Sequence, residues 1–164
     1  MRKKTIFKTE LHYQPFFLSQ SEIDKLISSI KKDDLKDHGS LIGNAKSTYH
    51  GPEKQFLDNH IDVKDKINAH LLPENLEVVS SWINVQGENS KLNYHNHPNS
   101  VLSGAIFLKT DDVSSELYFK NPNSQFYHYG EDESVMPVTG LCLMWPSWLM
   151  HGSGNMENKS TERI

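Results

Sequence analysis

The sequence has one cysteine, no long apolar run and no surplus of positive charge, and each shortage excludes a class of protein. The single Cys142 excludes an intramolecular disulfide framework and a zinc cluster made of cysteines. No stretch approaches the roughly 18–20 apolar residues of a membrane span. The 17 Lys and Arg against 21 Asp and Glu leave a net charge of -4, which is unfavourable for general nucleic-acid binding. We therefore expect a soluble, cytoplasmic protein that binds neither nucleic acid nor a membrane.

Aromatic residues and histidine are what the sequence has in quantity. The 164 residues include 7 Phe, 6 Tyr and 3 Trp, enough bulky side chains for the core of one domain, together with 9 His. We predict a single domain over residues 1–164, with a helical N-terminal part at 1–75 and a β core at 76–164.

Two helices are predicted in the N-terminal part. Ser19 and Glu22 match a capping box at the start of the first helix. An apolar stripe with helical spacing follows the box: Ile23, Leu26, Ile27 and Ile30. The second helix is predicted over 62–72 with Asp62 as its cap. The polar stretch 33–52 between the helices is predicted to be a long loop.

The second half of the sequence changes to a period of two, which is typical of strands. Short strands are predicted at 76–86, 91–97, 101–108, 116–120, 125–129, 135–137 and 141–145. Turns rich in Gly, Pro, Asn and Asp separate them, a pattern that favours a β-sandwich or jelly roll. We therefore predict a mainly β fold with the N-terminal helices packed on its outside.

Three histidines form the first chemical signal. His95 and His97 are two residues apart on a predicted strand, so both imidazoles face the same side, about 6–7 Å apart along the chain. With so many histidines, chance alone supplies about half of one such pair, so the pair by itself is weak evidence. His151, just after the strand at 141–145, is a third candidate ligand. Three ligands on one side of an ion leave open positions for substrate and dioxygen. The alternative is a surface histidine in a loop.

Arg163 is the second chemical signal. Its guanidinium group is suited to a bidentate contact with a carboxylate. If Arg163 were buried beside the metal, it would hold the far carboxylate of a dicarboxylic ligand. The alternative is a solvated arginine in a polar tail.

These residues lie in three motifs, in this order: His95-x-His97-Pro-Asn-Ser-x-Leu-Ser103-Gly104, Trp145-Pro146-Ser147-Trp148-Leu-x-His151 and Glu162-Arg163-Ile164. Together they resemble the small, prolyl-hydroxylase-like 2-oxoglutarate- and Fe(II)-dependent oxygenases, and Asn84 in Ser81-Trp82-Ile-Asn84 fits the same pattern. The resemblance covers about residues 76–164.

The resemblance implies a double-stranded β-helix, that is, a cupin-like jelly roll. It implies Fe(II) at His95, His97 and His151, and 2-oxoglutarate on the iron with its distal carboxylate at Arg163. It also implies an oxygenase that uses dioxygen, hydroxylates an unknown small molecule or peptide, and releases succinate and CO2. From their positions, we also expect Asn84, Tyr94 and Trp148 to contact the cosubstrate.

Two features depart from the family pattern. His97 occupies the position where the wider superfamily has a carboxylate. The pattern also continues as Arg-x-Ser and a further stretch of strand, whereas this sequence ends at Ile164. We therefore expect a truncated C-terminal strand, no hydroxyl beside Arg163, and an open sheet edge that would favour a homodimer.

Other readings and residues stay open from sequence alone. The main alternative is a metal-binding, cupin-like module without 2-oxoglutarate chemistry, and a third is a plain sandwich with incidental histidines. His128 is either a fourth ligand or a strand histidine, and Tyr49 and His50 are candidates for a lid. We expect surface or helix-face positions for His12, His38, His60 and His70, and a buried Cys142.

Overall fold

The computed structural model describes residues 9–49, 55–122 and 131–164. In these ranges the chain forms two α-helices and short strands. In chain order they are β1 (His12–Gln14), α1 (Gln20–Ser28), β2 (Leu41–Ile42), β3 (Ala45–Ser47), α2 (Ile61–His70), β4 (Asn84–Gln86), β5 (Lys91–Leu92), β6 (Leu102–Ile106), β7 (Leu117–Phe119), β8 (Glu133–Val135), β9 (Cys142–Pro146) and β10 (His151–Gly152). No helix in the described ranges is long and apolar enough to cross a membrane.

The first sheet combines strands from both ends of the chain. β9 pairs with β1 on one side and with β6 on the other, all antiparallel. The amide of Ile164 donates to the carbonyl of Lys109 just beyond β6, and Arg163 exchanges two backbone hydrogen bonds with Gln86 of β4. Since β4 pairs with β3, the order is β1, β9, β6, residues 163–164, β4, β3. The sheet edge expected at the C-terminal strand is therefore filled on both sides.

The second sheet faces the first. β7 pairs with β10 and with β8, and β5 pairs with β2. The β2–β5 pair joins the β10–β7–β8 group next to β10. There the amide of Ser153 donates to the carbonyl of Leu92 (2.8 Å), and His95 and His151 exchange backbone hydrogen bonds (both 3.0 Å). The order is therefore β2, β5, β10, β7, β8.

Strand β9 separates two apolar layers. Leu143 and Trp145 face the second sheet, whereas Cys142 and Met144 face the helices. The buried cluster between the sheets consists of Phe107, Leu117, Phe119, Val135, Leu141, Leu143, Trp145 and Leu149. The buried cluster under the helices consists of Phe17, Leu18, Ile23, Leu26, Val63, Ile67, Ile83, Leu108 and Cys142. The helices pack on the outer face of the two-sheet sandwich, as predicted. Cys142 is buried, also as predicted, and this burial raises the pKa of its thiol to about 12.

The first helix begins where the sequence predicts. The side chain of Glu22 accepts from the backbone amide of Ser19 (2.7 Å), and the two residues form the predicted capping box. Ile23 and Leu26 are buried in the helical layer. Lys66 of α2 donates to Glu22 (2.9 Å), so the cap of one helix also binds the other helix.

Four expectations about local structure are corrected. The predicted loop at 33–52 contains β2 and β3, whose partners β5 and β4 are distant in sequence. The strand predicted at 76–86 is regular only in β4. Helix α2 follows His60, which is buried rather than on the surface. Asp62 forms an ion pair with Lys25 (2.8 Å) instead of capping α2. The strand predicted at 125–129 lies outside the described residues.

We expect Glu22→Gln to lower the free energy of unfolding by about 1 kcal/mol at pH 7, as for a weakened cap. The amide and then the hydroxyl of Ser19, followed by Lys66, lower the pKa of Glu22 to about 2. A lowered pKa stabilises the fold above the unfolded value of 4.5, and this contribution is lost as the pH falls towards 2. Urea unfolding at pH 7 and pH 3 measures the difference, with the exposed Glu74→Gln as control. An equal effect of Glu22→Gln at both pH values would contradict the prediction.

Candidate metal centre

The three predicted histidines meet in the sandwich. One ring nitrogen from each of His95, His97 and His151 lies within 4.8 Å of the other two. The ring centroids are 4.3 to 5.2 Å apart. His151 is buried, while His95 and His97 are partly exposed. One side of the triad is therefore enclosed by protein and the other is accessible.

Backbone carbonyl groups orient two of the imidazoles. Nδ1 of His95 lies 2.8 Å from the carbonyl oxygen of Asn93, and Nδ1 of His151 lies 2.9 Å from that of Leu149. A carbonyl oxygen only accepts, so Nδ1 carries the hydrogen in both rings. The lone pair of each neutral ring is then on Nε2, which is the arrangement typical of metal-binding histidines.

The environment keeps the imidazoles of His97 and His151 neutral. Burial, followed by the imidazoles of His95 and His38, lowers the pKa of His97 to about 4. Burial also lowers the pKa of His151 to about 4, although its bond to the Leu149 carbonyl acts in the opposite direction. Because a histidine must be deprotonated to bind a metal, these two rings are ready to do so at neutral pH.

A β-bulge turns His95 towards the interior. Residue 92 pairs with residue 153 and His95 pairs with His151, so residues 93 and 94 together lie opposite Gly152. Leu92 packs against the cluster between the sheets. The extra residue lets Leu92 and His95 face the same side although they are three positions apart. A β-carbon on Gly152 would lie 2.7 Å from the Leu92 carbonyl oxygen, so the bulge requires glycine there.

We expect Gly152→Ala to destabilise the protein by roughly 1–3 kcal/mol, as overpacking does, and to weaken metal binding because the His95–His151 pair must separate. Gly39→Ala is the control, since a β-carbon at Gly39 meets nothing within 4 Å. Urea unfolding and a Co(II) titration measure the two effects. Equal stability to urea and equal Co(II) affinity of the two variants would show that the bulge does not need glycine.

Arg163 is a buried cation that has no acidic partner among the described residues. Its side chain is 5% exposed, its Nη1 donates to the hydroxyl of Ser115 (2.8 Å), and its guanidinium carbon lies 5.2 Å from the centre of the Phe107 ring. No ion pair joins it to a carboxylate of the described residues. Burial lowers its pKa to about 10, so it remains charged at pH 7. The expectation that no hydroxyl accompanies Arg163 was wrong, because Ser115 supplies one.

Three buried polar atoms between the sheets also have no partner within the described ranges: Asn84 Oδ1, Gln86 Nε2 and Trp145 Nε1. Asn84 and Gln86 lie on the same face of β4, and Gln86 is directly opposite Arg163. The Trp145 ring centroid lies 4.8 Å from that of His151. Buried polar groups in native proteins normally have hydrogen-bond partners. A bound polar ligand or ordered water would supply the partners of these atoms.

Two predicted cosubstrate contacts lie elsewhere. The bulge places Tyr94 on the outer face of the second sheet, where Lys120 Nζ lies 4.7 Å from the ring centroid. Burial, followed by the charge of Asp132, raises the pKa of Tyr94. The Trp148 side chain is 51% exposed at the surface. The structure does not bring either residue to the three histidines.

A row of aromatic contacts lies beside the triad, and the sequence analysis had named one of its members, Tyr49, as a candidate for a lid. Ring centroids are 4.6 Å apart for His38–Tyr49, 5.2 Å for Tyr49–Trp82 and 5.6 Å for Trp82–His97. His38 was expected at a surface or helix-face position, but it is partly buried in this row. The amide of Asn93 donates to the carbonyl of Ser40 and so holds the turn that contains His38 against β5. His12 and His70 are exposed, as expected. His50 and His128 lie outside the described residues.

The two-sheet sandwich holds three converging imidazoles and a buried arginine. Imidazole triads with open positions are typical of non-haem metal sites. The family described as "Putative 2OG-Fe(II) oxygenase" matches residues 80–164, just over half of the chain. The chain therefore belongs to the 2-oxoglutarate- and Fe(II)-dependent oxygenase family, as its motifs predicted. The family implies Fe(II) as the metal and 2-oxoglutarate and dioxygen as cosubstrates, which confirms the predicted cofactors. A search of curated proteins found no match.

Solved structures confirm the fold. A prolyl-4-hydroxylase from Pseudomonas putida is 15% identical with a TM-score of 0.62, covering 93% of this chain and 87% of its own. A 2OG-Fe(II) oxygenase family oxidoreductase from Burkholderia pseudomallei is 10% identical with a TM-score of 0.67, covering 94% and 81%. The viral collagen prolyl hydroxylase of Paramecium bursaria Chlorella virus-1, solved with 2-oxoglutarate, is 16% identical with a TM-score of 0.56, covering 93% and 91%. The predicted double-stranded β-helix is therefore correct.

Proposed function

We propose that His95, His97 and His151 bind the Fe(II) of this oxygenase and that Arg163 binds the distal carboxylate of 2-oxoglutarate. The observation that carries the proposal is a triad of converging imidazoles in the same sandwich as a buried arginine that has no acidic partner within the described ranges. The reaction is hydroxylation of an organic substrate, with release of succinate and CO2.

The donor atoms suit these groups. Imidazole nitrogen is a good ligand for iron, and three ligands on one side leave positions for the cosubstrate and dioxygen. A dicarboxylate would give Arg163 a counter-charge, which no carboxylate in the described ranges supplies. A buried arginine–carboxylate contact is strong when it is bidentate. Because His97 stands in place of a carboxylate, the three proposed ligands add no negative charge to the metal.

Bound Fe(II) supplies the oxidative chemistry, in which decarboxylation of 2-oxoglutarate is coupled to transfer of one oxygen atom to the substrate. The protein holds the ligand side chains in position and excludes water from the buried side of the triad. Carbonyl oxygens hold the rings of His95 and His151 in the metal-binding tautomer. Phe119 and Trp145 pack beside His151, with ring centroids 6.2 and 4.8 Å away, and shield it from solvent. Asn84 lies on the β4 face that runs towards Gln86 and offers an amide to the cosubstrate.

The primary substrate is proposed to lie against the aromatic row of His38, Tyr49 and Trp82 at the accessible side of the triad. Two of the similar structures are prolyl hydroxylases, which favours a peptide substrate. A small molecule with an apolar ring would also pack against this aromatic row. Tyr49 is 43% exposed, so it is available for such a contact. A homodimer also stays a prediction, to be tested by sedimentation.

Succinate release tests the proposed function. Purified protein with Fe(II), 2-oxoglutarate and oxygen is expected to release succinate slowly even without a primary substrate, and omission of any one component is expected to stop it. Metal binding without succinate release or 2-oxoglutarate binding would favour the metal-binding module instead.

A further inference from the structure

We propose that Trp82 and Tyr49 form an electron relay, which protects the metal centre when oxygen is activated in the absence of a primary substrate. The inference rests on the proposed function, because that function supplies the oxidant. The relay consists of side chains of this protein and connects His97 to solvent through two rings that are readily oxidised.

The rings of the relay are in contact from the triad to the surface. The centroid of the His97 ring lies 5.6 Å from that of Trp82, and the Trp82 centroid lies 5.2 Å from that of Tyr49. Both separations are within the range of about 4.5–7 Å that is typical of aromatic pairs. Tyr49 is 43% exposed. An electron can therefore pass from the surface to the ligand His97 through rings that contact one another.

Backbone pairing holds the two rings of the relay opposite each other. The pairing of β3 with β4 continues beyond Ser47, because the amide of Thr48 donates to the carbonyl of Ile83 (2.9 Å). The amide of Ile83 donates in turn to the hydroxyl of Thr48 (2.9 Å). The next position in this register brings Tyr49 opposite Trp82, so their side chains are cross-strand neighbours. The sheet therefore fixes the contact between the phenol and the indole.

The other aromatic route from the triad ends in the core. The Trp145 ring centroid lies 4.8 Å from that of His151, but Trp145 is 2% exposed and its next ring neighbour is Phe119, 5.2 Å away. A phenylalanine ring lacks the heteroatom lone pair that makes an indole or a phenol easy to oxidise. Among the described ring contacts, only the row through Trp82 and Tyr49 joins the triad to an exposed, oxidisable side chain.

The relay supplies electrons that a substrate would otherwise provide. Dioxygen accepts four electrons: 2-oxoglutarate gives two as it loses CO2, and the primary substrate gives the other two. Without a substrate, the second oxygen atom needs two electrons and two protons to leave as water. Tyr49 gives one electron at a time through Trp82, and it releases one phenolic proton with each electron. An external reductant, such as ascorbate or a thiol, then returns one hydrogen atom to the tyrosyl radical.

The position of Tyr49 determines where the proton goes and when the relay operates. Nδ1 of His38, the next ring of the row, already accepts from the amide of Ser40 (3.2 Å) and is not available to the phenol. The phenolic proton therefore passes to water. The primary substrate is proposed to lie against the same row, so a bound substrate would cover Tyr49 and would also consume the two oxidising equivalents. The relay operates when the substrate site is empty.

Freeze-quenched electron paramagnetic resonance tests the relay. Wild-type protein loaded with Fe(II) and mixed with 2-oxoglutarate and oxygen, without substrate or reductant, is expected to show a tyrosyl radical. Tyr49→Phe removes only the phenolic hydroxyl and is expected to lose this signal. Tyr13→Phe is the matched control and should keep it, because Tyr13 is an exposed tyrosine (54%) of β1, at the opposite edge of the same sheet. The same radical signal in wild-type and Tyr49→Phe protein would overturn the inference.

Hydrogen peroxide separates this inference from the proposed function, because it oxidises bound Fe(II) without 2-oxoglutarate. Protein loaded with Fe(II) and freed of excess metal is expected to form the same radical with peroxide, whereas His151→Ala, which loses the metal, is not. A radical that depends on Tyr49 in peroxide, without succinate release in 2-oxoglutarate, would remove the oxygenase assignment and leave the relay. Absence of such a radical with both oxidants would overturn the relay, whether or not succinate is released.

Oxidation of the protein itself gives a second readout. In the wild type, ascorbate is expected to suppress the gain of one oxygen atom on the peptide that contains Trp145, the other oxidisable ring beside the triad. Trp82→Phe keeps a ring in the row but interrupts the relay, so the protection by ascorbate should be lost. Peptide mass spectrometry after exposure to either oxidant measures the oxidised fraction, and circular dichroism establishes that the variant is folded. Equal oxidation of this peptide in the two proteins, with ascorbate present, would show that Trp82 carries no electrons.

Discussion

Replacing His151 with alanine is expected to lower the affinity for Fe(II) or Co(II) by more than about 100-fold, since loss of even an outer-sphere partner of a metal ligand costs 10–100-fold. His151 is the buried member of the triad and is already oriented by the carbonyl of Leu149. Its loss leaves His95 and His97, which are partly exposed and follow each other along one segment. Two such ligands hold a divalent ion weakly. Metal analysis after dialysis and a Co(II) absorption titration measure the change.

Two variants control this experiment. His12→Ala removes an exposed histidine of β1 and is expected to leave metal binding unchanged. Circular dichroism of His151→Ala establishes that the sandwich remains folded. A folded His151→Ala protein with wild-type metal content and wild-type succinate release would show that the iron site lies elsewhere.

Arg163→Met is expected to reduce 2-oxoglutarate affinity by more than about 100-fold, the size of effect expected when a buried, charged pair loses one partner. Because Arg163 has no acidic partner within the described ranges, the same substitution also removes an uncompensated buried charge. The melting temperature of the ligand-free protein should therefore be unchanged or higher. Calorimetry with Mn(II)-loaded protein under nitrogen and thermal unfolding without ligand measure the two quantities.

The combination of the two results is diagnostic. A structural arginine would give the opposite pattern: lower melting temperature and unchanged 2-oxoglutarate affinity. Lys109→Met is the control, since Lys109 is a nearby cation that is half exposed and paired with Glu162. Its removal should leave the binding of 2-oxoglutarate unchanged.

Short-range patterns account for the parts of the protein that the sequence predicted correctly. A capping box is complete within four residues, so Ser19 and Glu22 identify the start of α1 without tertiary information. The strand period places His95 and His97 on one side for the same reason. The order of the three motifs was sufficient to identify the family and hence its cofactors, because those motifs carry the groups that would contact iron and the cosubstrate.

Long-range pairing accounts for the parts that were missed. β2 and β3 are very short, and they become strands only because β5 and β4 supply their hydrogen bonds. The polar composition of 33–52 gave no indication of this. Tyr94 was misplaced because a regular strand does not contain the bulge opposite Gly152, which shifts the alternation of side chains by one residue.

By itself, the sequence determined the family, the start of helix α1 and the alternating pattern of the strands. It also determined the candidate ligands of the metal and the cosubstrate: His95, His97, His151 and Arg163. These depend on residue type and on spacing over a few positions. Only the tertiary structure decided that the three imidazoles lie within 4.8 Å of one another and that Ser115 and Gln86 stand beside Arg163. The physical reason is that hydrogen bonds across two sheets bring these groups together, and Ser115 and Arg163 are 48 positions apart in the sequence. No local pattern encodes such contacts, because they exist only after both sheets have formed.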